Sequence, residues 1–401
     1  MERYLCRIVH GKFILRNHRI RVALVFVSAL VMGCGVPKEK AKSACQMPFE
    51  YEVPQFAEGF RWKFLPALKA EQARMCLELF DVNFEAVEST VYRDSMALRL
   101  DPCPKGNAVV LRAASQGLAT LSTTHVALLQ AWDDSLAHWA GGAFVNYIQS
   151  DIAQRRLAQQ QAVNFGGNPE WDLEMLIAHP PSALCIYPFG NPIDDASWSE
   201  DVPIVPILEY LEPHPLGRAE WMRVFGWMVN EESGDKASKR FEQIAARYEA
   251  LRTSPKDYPK LRVFTGSVEQ GEWHAPGGGS FIARLLNDAG VEYVFQEYEG
   301  RENVRIPLEE MMKVGNASDA WGLVVQHTGD SFGMQDLLAM EDRNRLIIPA
   351  SNKVFAANTA QCDYFGWWVA RPDVMLENVM CLFDGGSCDL EVEPCFSWLK
   401  E

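Results

Sequence analysis

Ser331 lies at the centre of a Gly-x-Ser-x-Gly motif, which is the most specific chemical signature in this sequence. The motif Gly329-Asp330-Ser331-Phe332-Gly333 follows a predicted strand and precedes a helical run, as a nucleophile elbow does. A serine hydrolase of this kind needs an acid and then a histidine downstream of the serine, but the last histidine, His327, lies upstream. The triad cannot be completed in that order, so a secreted serine esterase is kept only as an alternative.

Metal binding is a second kind of chemistry that these residue types could support. A bare Mn or Zn ion needs several histidine or carboxylate ligands, or closely spaced cysteines. The sequence has no Cys-x-x-Cys pair and no His-x-x-x-His spacing. We therefore predict no metal site. A binding protein for a bare metal ion is kept only as an alternative function. The histidines of the main body are His125, His138, His179, His214, His274 and His327.

Two loops carry small or hydroxyl residues directly before helical patterns. Backbone N–H and hydroxyl groups at such positions can face a ligand, especially an anionic one. The alternative is helix capping or a tight turn. The glycine-rich loop lacks the Lys-Ser/Thr ending of a phosphate loop, so nucleotide binding is not expected. The candidate residues in these loops are Thr123, Thr124, His125, Gly278, Gly279 and Ser280.

An arginine and several aromatic residues could line a cleft for a large, partly apolar ligand. Arg218 follows a proline-containing loop and could bind a carboxylate or hydroxamate bidentately, or pair with Glu212 or Glu220 instead. The aromatic candidates lie beside Gly or His, or at predicted strand ends, where open α/β sheets bind ligands. Core packing is the alternative for each of them. They are Tyr187, Phe189, Tyr210, Trp273, Trp367 and Trp368.

The elements that must position these residues alternate between short apolar β-rich runs and helical patterns, which indicates an α/β fold with mainly parallel sheets. The apolar spacing from Ala237 to Leu251 is 4, 3, 4, 3, and a similar spacing precedes it. It predicts a long helix over 216–252 with a bend at Ser233-Gly234, either a strut between lobes or an ordinary crossover helix. The predicted strands are 108–112, 183–187, 204–208, 261–265, 293–296 and 322–326.

The charge distribution excludes one class of partner. The net charge is -15, and residues 1–33 hold six basic side chains and one acid, a net of +5. The remainder, 34–401, therefore carries -15 - 5 = -20. A body this acidic repels phosphate backbones and gains nothing from an anionic membrane surface, so no nucleic-acid partner is expected.

The N-terminus supplies a different route to a membrane. The apolar run 22–32 is shorter than the roughly 20 residues that span a bilayer, and has the length of a signal-peptide core. Its end, Leu30-Val31-Met32-Gly33-Cys34, resembles a bacterial lipoprotein signal. We therefore predict a signal peptide over 1–33, lipidation at Cys34, a tether over 34–58 and an exported, membrane-anchored protein in the periplasm or at the cell surface. An uncleaved anchor or a chance cysteine are the alternatives.

Eight cysteines remain after Cys6 and Cys34, and an even number in an oxidising compartment suggests disulfides. Cys381, Cys388 and Cys395 recur every seven residues around a Gly-Gly break, which favours a local loop staple. Cys185 lies in an apolar run, where a free buried thiol is the alternative.

Five segments, in order along the chain, resemble class III periplasmic substrate-binding proteins, which serve ATP-driven importers of ferric siderophores, haem and cobalamin. No segment is specific alone, but their order over residues 107–380 is. They begin with or contain Leu121-Ser122-Thr123-Thr124-His125, Asp172-Leu173-Glu174-Met175-Leu176, Pro206-Ile207-Leu208-Glu209-Tyr210, Pro276-Gly277-Gly278-Gly279-Ser280-Phe281 and Arg371-Pro372-Asp373-Val374-Met375.

The resemblance implies two Rossmann-like lobes with mainly parallel sheets, joined by a long interlobe α-helix. It divides the chain into an N-terminal lobe (59–215), a connecting helix (216–254) and a C-terminal lobe (255–401). It further implies a monomeric binding protein, not an enzyme, that needs no cofactor and carries an iron(III)-siderophore, haem or cobalamin to an ABC permease with its ATPase. Glu174 and Glu309 match the acidic residues that dock onto the permease. His179, Gly279 and Gly366-Trp367-Trp368 depart from the family's pattern, so the ligand's identity stays open.

Overall fold

Three five-stranded sheets and one three-stranded sheet frame the described part of the protein in a computed structural model. Cys34, Phe189 and Cys388 lie outside the described residues, as does the predicted signal peptide. No helix within the described ranges is long and apolar enough to cross a membrane. The structure describes residues 51–65, 75–93, 95–101, 104–112, 116–167, 172–188, 202–329, 331–385, 390 and 392–400.

The first sheet is N-terminal and mainly antiparallel, with only β4 and β5 parallel. The N-terminal lobe predicted over 59–215 includes most of this region, but its strands pair only with one another in the described part. Its polar interior is held by Lys63, whose Nζ lies 3.3 Å from Glu78 and 2.7 Å from Asp101. The elements are β1 (Tyr51–Glu52), β2 (Phe60–Phe64), β3 (Met75–Phe80), β4 (Val87–Tyr92), α1 (Ser95–Leu100) and β5 (Asn107–Val110).

The second sheet is parallel throughout, in the order β10-β9-β6-β7-β8. Because the strands are parallel, their carboxyl ends meet at one edge, where ligands bind in open α/β sheets. The elements of this N-terminal lobe are β6 (Leu118–Thr120), α2 (Thr123–Gln130), β7 (Trp139–Gly142), α3 (Asp151–Ala158), β8 (Val163–Asn164), α4 (Leu173–Ala178), β9 (Ala183–Ile186) and β10 (Ile204–Pro206).

Three helices, α5 (Pro215–Glu220), α6 (Met222–Val229) and α7 (Glu231–Thr253), replace the single long helix expected from the sequence. The predicted bend at Ser233-Gly234 is wrong, because the break falls at Asn230. Asn230 is extended (φ -169°, ψ 177°) and its side chain accepts the Ser233 N–H at 2.8 Å, so it caps α7. At Gly234, a Cβ would lie 2.2 Å from the Trp227 ring, so glycine there allows α6 to pack closely against α7.

The third sheet has the order β14-β11-β16-β17-β18 and is parallel except for its last strand. A small antiparallel sheet, β12-β13-β15, lies in the same lobe. The elements of this C-terminal lobe are β11 (Arg262–Thr265), β12 (Ser267–Glu269), β13 (Glu272–Pro276), α8 (Phe281–Asp288), β14 (Glu292–Tyr293), β15 (Asn303–Ile306), α9 (Leu308–Asn316), β16 (Ala320–Val325), α10 (Met334–Met340), β17 (Val354–Asn358), α11 (Trp367–Ala370), α12 (Pro372–Phe383) and β18 (Phe396–Trp398).

Helix α7 contacts both lobes. In its middle, Arg240 Nε donates to the carbonyl of Ala131 in the N-terminal lobe at 3.2 Å. About two turns later, Arg247 pairs with Asp373 at 3.2 Å, and the Tyr248 hydroxyl donates to Asp288 at 2.8 Å, both in the C-terminal lobe. These contacts tie one helix of 23 residues to both lobes.

The segment before β2 is held against α5 by the buried carboxylate of Glu220. Its oxygens accept the backbone N–H groups of Gln55, Phe56 and Ala57 at 2.9, 2.8 and 3.0 Å. Glu220 also pairs with Arg223 at 3.1 Å. A buried carboxylate with several charge-assisted hydrogen bonds has its hydrogen-bonding capacity satisfied. This contact therefore fixes the N-terminal sheet to residues 209–253, which contain α5, α6 and α7 and form the hinge region between the lobes.

Glu212 holds the next two residues of that segment in the same way. Its carboxylate accepts the N–H groups of Glu58 and Gly59 and the indole N–H of Trp221, each at 2.9 Å. Burial raises the pKa of Glu212 to about 7, although these donors oppose the rise. The folded protein therefore binds a proton at Glu212 more tightly than the unfolded chain does.

We expect this proton to make part of the stability pH-dependent. A carboxyl group with a raised pKa stabilises the fold below its unfolded pKa of 4.5, and that contribution is lost as the pH rises through about 7. The unfolding free energy of the wild type, relative to Glu212→Gln, should fall by about 2–3 kcal/mol between pH 5 and pH 8. Urea unfolding of both proteins checks this, with Glu52→Gln on β1 as the control. A difference that is constant with pH contradicts it.

Candidate ligand-binding site

The carboxyl edges of the two parallel sheets meet where the loop after β17 reaches α2. The Thr124 hydroxyl donates to the carbonyl of Phe365, and Gln149 Nε2 donates to the carbonyl of Thr359 at 2.7 Å. Ser122, not Thr123 or Thr124, caps α2, since its hydroxyl accepts the Thr124 N–H at 3.2 Å. These contacts bring residues of both lobes together around a cleft.

A cavity of about 500 Å³ opens on the C-terminal side of this cleft. Its volume lies within the range of about 300–1,000 Å³ that is typical of small-molecule sites. One wall is apolar and aromatic, and polar groups come from α5, from loops and from strands of the C-terminal lobe, among them Glu269 on β12 and His274 on β13. The lining residues include Arg218, Ser280, Phe281, Arg301, Tyr364 and Phe365.

Arg218 carries a positive charge into this cavity without a carboxylate partner among the described residues. Its Nη2 donates to the carbonyl of Tyr210 at 2.6 Å and its Nε to the carbonyl of Glu212 at 3.3 Å. Its guanidinium lies 4.1 Å from the centre of the Phe281 ring. Burial lowers the pKa of Arg218, but an arginine stays protonated at any ordinary pH. The alternative of an ion pair with Glu212 or Glu220 is not realised, so the cavity has a cation to offer an anionic ligand.

Tyr364 and Phe365 add to the aromatic surface of this cavity, and neither is among the candidate residues predicted from the sequence. Tyr364 is buried, and burial raises the pKa of its phenol to about 12, against the opposing effect of Arg218. Phe365 is 56% exposed, which is unusual for a phenylalanine and typical of a ligand-facing side chain. Their position just before Gly366-Trp367-Trp368, a segment already singled out, is the signal that could have identified them.

A smaller cavity of about 300 Å³ lies between the lobes. Thr123 and Gln149 line it from the N-terminal lobe, and Asp363 and Trp367 from the C-terminal lobe. Asp363 accepts the Trp367 N–H at 2.7 Å, and burial raises the pKa of its carboxyl group. Trp368 also borders the cavity but is only 3% exposed, so Trp367 is the tryptophan that a ligand could reach.

His125 lies beneath the cleft and does not open into either cavity. It is fully buried, and its Nε2 lies 3.5 Å from Glu209 Oε2, while neither ring nitrogen has a hydrogen-bond partner within the described ranges. The Tyr187 ring is 6.4 Å away and 38% exposed at the end of β9. Tyr210 contributes its backbone carbonyl to Arg218, as described above. Tyr187 is thus more accessible than His125, although it lines neither of the two cavities.

The structure does not support a ligand contact for Trp273. Its ring is fully buried in the C-terminal lobe, 5.3 Å from that of Trp321, and its Nε1 donates to the carbonyl of Thr265 at 3.3 Å. A neighbouring histidine and glycine two positions away do not prevent burial, because β13 lies beneath the third sheet.

The backbone of the glycine-rich loop packs closely against residues 296–302. The N–H groups of Gly277, Gly278 and Gly279 already donate to backbone carbonyls of residues 298–302. A Cβ on Gly278 would lie 2.1 Å from the carbonyl oxygen of Gln296, so glycine is needed for this close approach. Ser280 caps α8 by accepting the Ala283 N–H at 3.3 Å and also borders the larger cavity.

Neither catalytic nor metal-ion chemistry finds a suitable arrangement in the described residues. Ser331 lies in the middle of the connection from β16, which ends at Val325, to α10, which starts at Met334, so it is not on a strand-to-helix elbow. No three His, Cys, Asp or Glu side chains in the described ranges are grouped so as to hold a metal ion.

Cys395 is not part of the local loop staple expected for the Cys381–Cys395 stretch. Cys395 is bonded to Cys362, 33 residues earlier, and not to a neighbour in the Cys381–Cys395 stretch. This bond ties the loop that carries Tyr364 to β18. Cys381 is also in a disulfide, whereas Cys76 and Cys185 are free and buried.

Comparison with known proteins identifies the class to which this fold and cleft belong. The sequence pattern of the periplasmic binding protein family matches residues 118–344, more than half of the chain, so the chain belongs to that family. An uncharacterized lipoprotein of Methanocaldococcus jannaschii is 26% identical over 226 residues, which are 54% of this chain and 53% of the relative. The chain thus matches about half the length of that curated relative.

Solved structures agree in fold. The periplasmic haem-binding protein HutB of Vibrio cholerae aligns with a TM-score of 0.52 at 12% identity, over 67% of this chain and 99% of its own. A periplasmic binding protein of Veillonella parvula gives 0.51 at 15% identity, over 68% and 92%. A periplasmic haem-binding protein of Pseudomonas aeruginosa gives 0.50 at 14% identity, over 71% and 98%.

The resemblance stated from the sequence is therefore confirmed, and so is the two-lobed α/β fold with mainly parallel sheets. Proteins of this family bind substrates for import and are not enzymes, which removes the esterase alternative. No catalytic cofactor is indicated for this chain.

Proposed function

We propose that this protein is the substrate-binding lipoprotein of an ABC importer and captures an anionic iron(III)-siderophore, or haem or cobalamin, between its two lobes. The observation that carries the proposal is Arg218, a cation with no carboxylate partner in the described part of the chain, at the wall of a 500 Å³ cavity in the cleft of a family member. The haem named for the Vibrio cholerae and Pseudomonas aeruginosa proteins supports the same ligand class.

Native mass spectrometry of the mature protein tests the capture. Ferric citrate, ferrichrome, haemin and cobalamin are each mixed with the protein at a slight excess. The proposal expects one chelate to be retained at a ratio of one to one. Retention of none of the four, or of bare Fe(III) alone, contradicts it.

The strut formed by α7 supports a small hinge motion on binding, because the same helix is tied to both lobes. The lipid anchor at Cys34 is proposed from the signal pattern, and the lipoprotein named in Methanocaldococcus jannaschii is consistent with it. The lobe boundaries proposed from the sequence, 59–215 and 255–401, flank the three hinge helices.

Glu174 and Glu309 are proposed to dock the two lobes onto the permease. Both are exposed and lie in the first turn of a surface helix, Glu174 on α4 and Glu309 on α9. Ile177 is 79% exposed beside the first, and Met312 is 36% exposed beside the second. An exposed carboxylate next to an exposed apolar side chain on each lobe suits steering followed by contact with a basic partner.

We expect Glu174→Ala combined with Glu309→Ala to keep wild-type chelate affinity and to reduce uptake by about tenfold or more, because rim charges act on association with the partner. Cells that depend on this importer, supplied with radiolabelled ferric chelate, give the uptake rate. The matched control is Asp151→Ala with Glu297→Ala, which removes one exposed acid from each lobe elsewhere. Normal uptake in the docking variant, or a parallel loss of affinity, contradicts the assignment.

A further inference from the structure

Arg301 bridges the C-terminal lobe, the hinge region and the N-terminal sheet. Its Nη1 donates to the carbonyl of Leu211 at 2.9 Å, and its Nη2 pairs with Glu58 at 2.5 Å. Its guanidinium also lies 5.2 Å from the centre of the Phe84 ring. Glu58 and Phe84 precede the residues matched by the family pattern, which begin at 118, so this bridge is a feature of the added sheet.

The same side chain lines the 500 Å³ cavity together with Arg218. The hydrogen bonds to Leu211 and Glu58 use one N–H group on Nη1 and one on Nη2. A guanidinium group has five N–H donors in total. The remaining donors have no partner among the described residues. Arg301 can therefore offer hydrogen bonds to a ligand that enters the cavity.

The ion pair with Glu58 determines how readily the Arg301 guanidinium can bind a ligand. Both side chains are well exposed, 38% for Arg301 and 50% for Glu58, and a surface ion pair is weak. A carboxylate on the ligand would meet Arg301 at the cavity wall and would also be repelled by Glu58. The ligand and Glu58 thus compete for one guanidinium.

We propose that Arg301 is a second anion-binding, specificity-determining side chain of the cavity, and that Glu58 of the N-terminal sheet competes with the ligand for it. The inference rests on the proposed function, since it assumes that the cavity takes an anionic chelate. It assigns to the N-terminal sheet a role in setting the preference between anionic and neutral chelates.

Two chelates of different charge test the proposal by binding measurements. Ferric citrate is anionic and ferrichrome is neutral. Glu58→Gln should tighten ferric citrate binding about three- to fivefold, the size expected of a surface ion pair, and Arg301→Gln should weaken it by at least that factor. Neither variant should change ferrichrome affinity. Arg305→Gln, an exposed arginine on β15, is the control and should change neither.

A second readout measures the accessibility of Arg301 directly. Phenylglyoxal modifies accessible arginines, and mass spectrometry of the full chain gives the rate at Arg301. Glu58→Gln should raise that rate, and ferric citrate should protect Arg301 in the wild type. An unchanged labelling rate in Glu58→Gln, or equal effects on both chelates, overturns the inference. Wild-type protein that binds none of ferric citrate, ferrichrome, haemin and cobalamin contradicts the proposed function, while the labelling rates still decide whether Glu58 masks Arg301.

Discussion

Replacing Arg218 with glutamine is expected to weaken the binding of ferric citrate by about 10- to 100-fold, the value of one or more hydrogen bonds to a charged group in a partly buried site. Arg218 is already oriented by two backbone carbonyls and the Phe281 ring, so a ligand carboxylate meets a preorganised cation. Isothermal titration calorimetry of the purified protein measures the dissociation constant.

Three comparisons separate this effect from general damage to the cavity. Arg218→Lys keeps the charge but loses the fork geometry, so its affinity should fall between those of the wild type and the glutamine variant. Ferrichrome, which is neutral, should lose little affinity. Arg305→Gln should bind both chelates as the wild type does. Equal losses for ferric citrate and ferrichrome would show that Arg218 supports the fold and does not meet the anion.

The second large expected effect is a loss of stability when the contact between the N-terminal sheet and α5 is removed. Glu220→Ala is expected to lower the free energy of unfolding by about 3–5 kcal/mol, because it leaves Arg223 without its buried partner and three backbone N–H groups without their acceptor. Urea unfolding monitored by circular dichroism gives the value.

Glu242→Ala is the matched control, because Glu242 contacts the same Arg223 at 3.6 Å but is 66% exposed. An exposed ion pair contributes about 0–1 kcal/mol, so this variant should unfold almost as the wild type does. A loss below about 1 kcal/mol for Glu220→Ala, or similar losses for both variants, contradicts the proposed anchoring of residues 55–57.

The sequence predicts those strands of the parallel sheets that are continuous apolar runs bounded by turns, but the predicted strands leave out β6, β7, β8 and β17. The predicted strands 183–187 and 322–326 correspond to β9 (Ala183–Ile186) and β16 (Ala320–Val325). It could not identify the separate N-terminal sheet. The contacts that fix that sheet come from Glu212 and Glu220, about 160 residues away, and such carboxylates read as an ordinary polar helix face in one dimension.

The residues of the candidate site were likewise predictable from the sequence only in part. Arg218 was recognisable because it follows a loop at a family motif, whereas Arg301 reaches the cavity only through the fold. Trp273 and Trp367 have similar neighbours in the sequence, yet one is fully buried and the other borders the interlobe cavity. How deeply a tryptophan is buried depends on which strands pack over its ring. The types of the adjacent residues in the sequence do not determine this.

The central claim is that a metal chelate binds in the cleft between the lobes, where Arg218 lines the larger cavity and Trp367 lines the smaller one. Tryptophan fluorescence of the mature protein, titrated with ferric citrate, ferrichrome, haemin and cobalamin, tests it most directly. We predict saturable quenching by one of these at micromolar concentration or below, with a smaller amplitude in Trp367→Phe and an unchanged amplitude in Trp273→Phe. Absence of saturable quenching by all four, or an amplitude that depends on Trp273 and not on Trp367, would contradict the account.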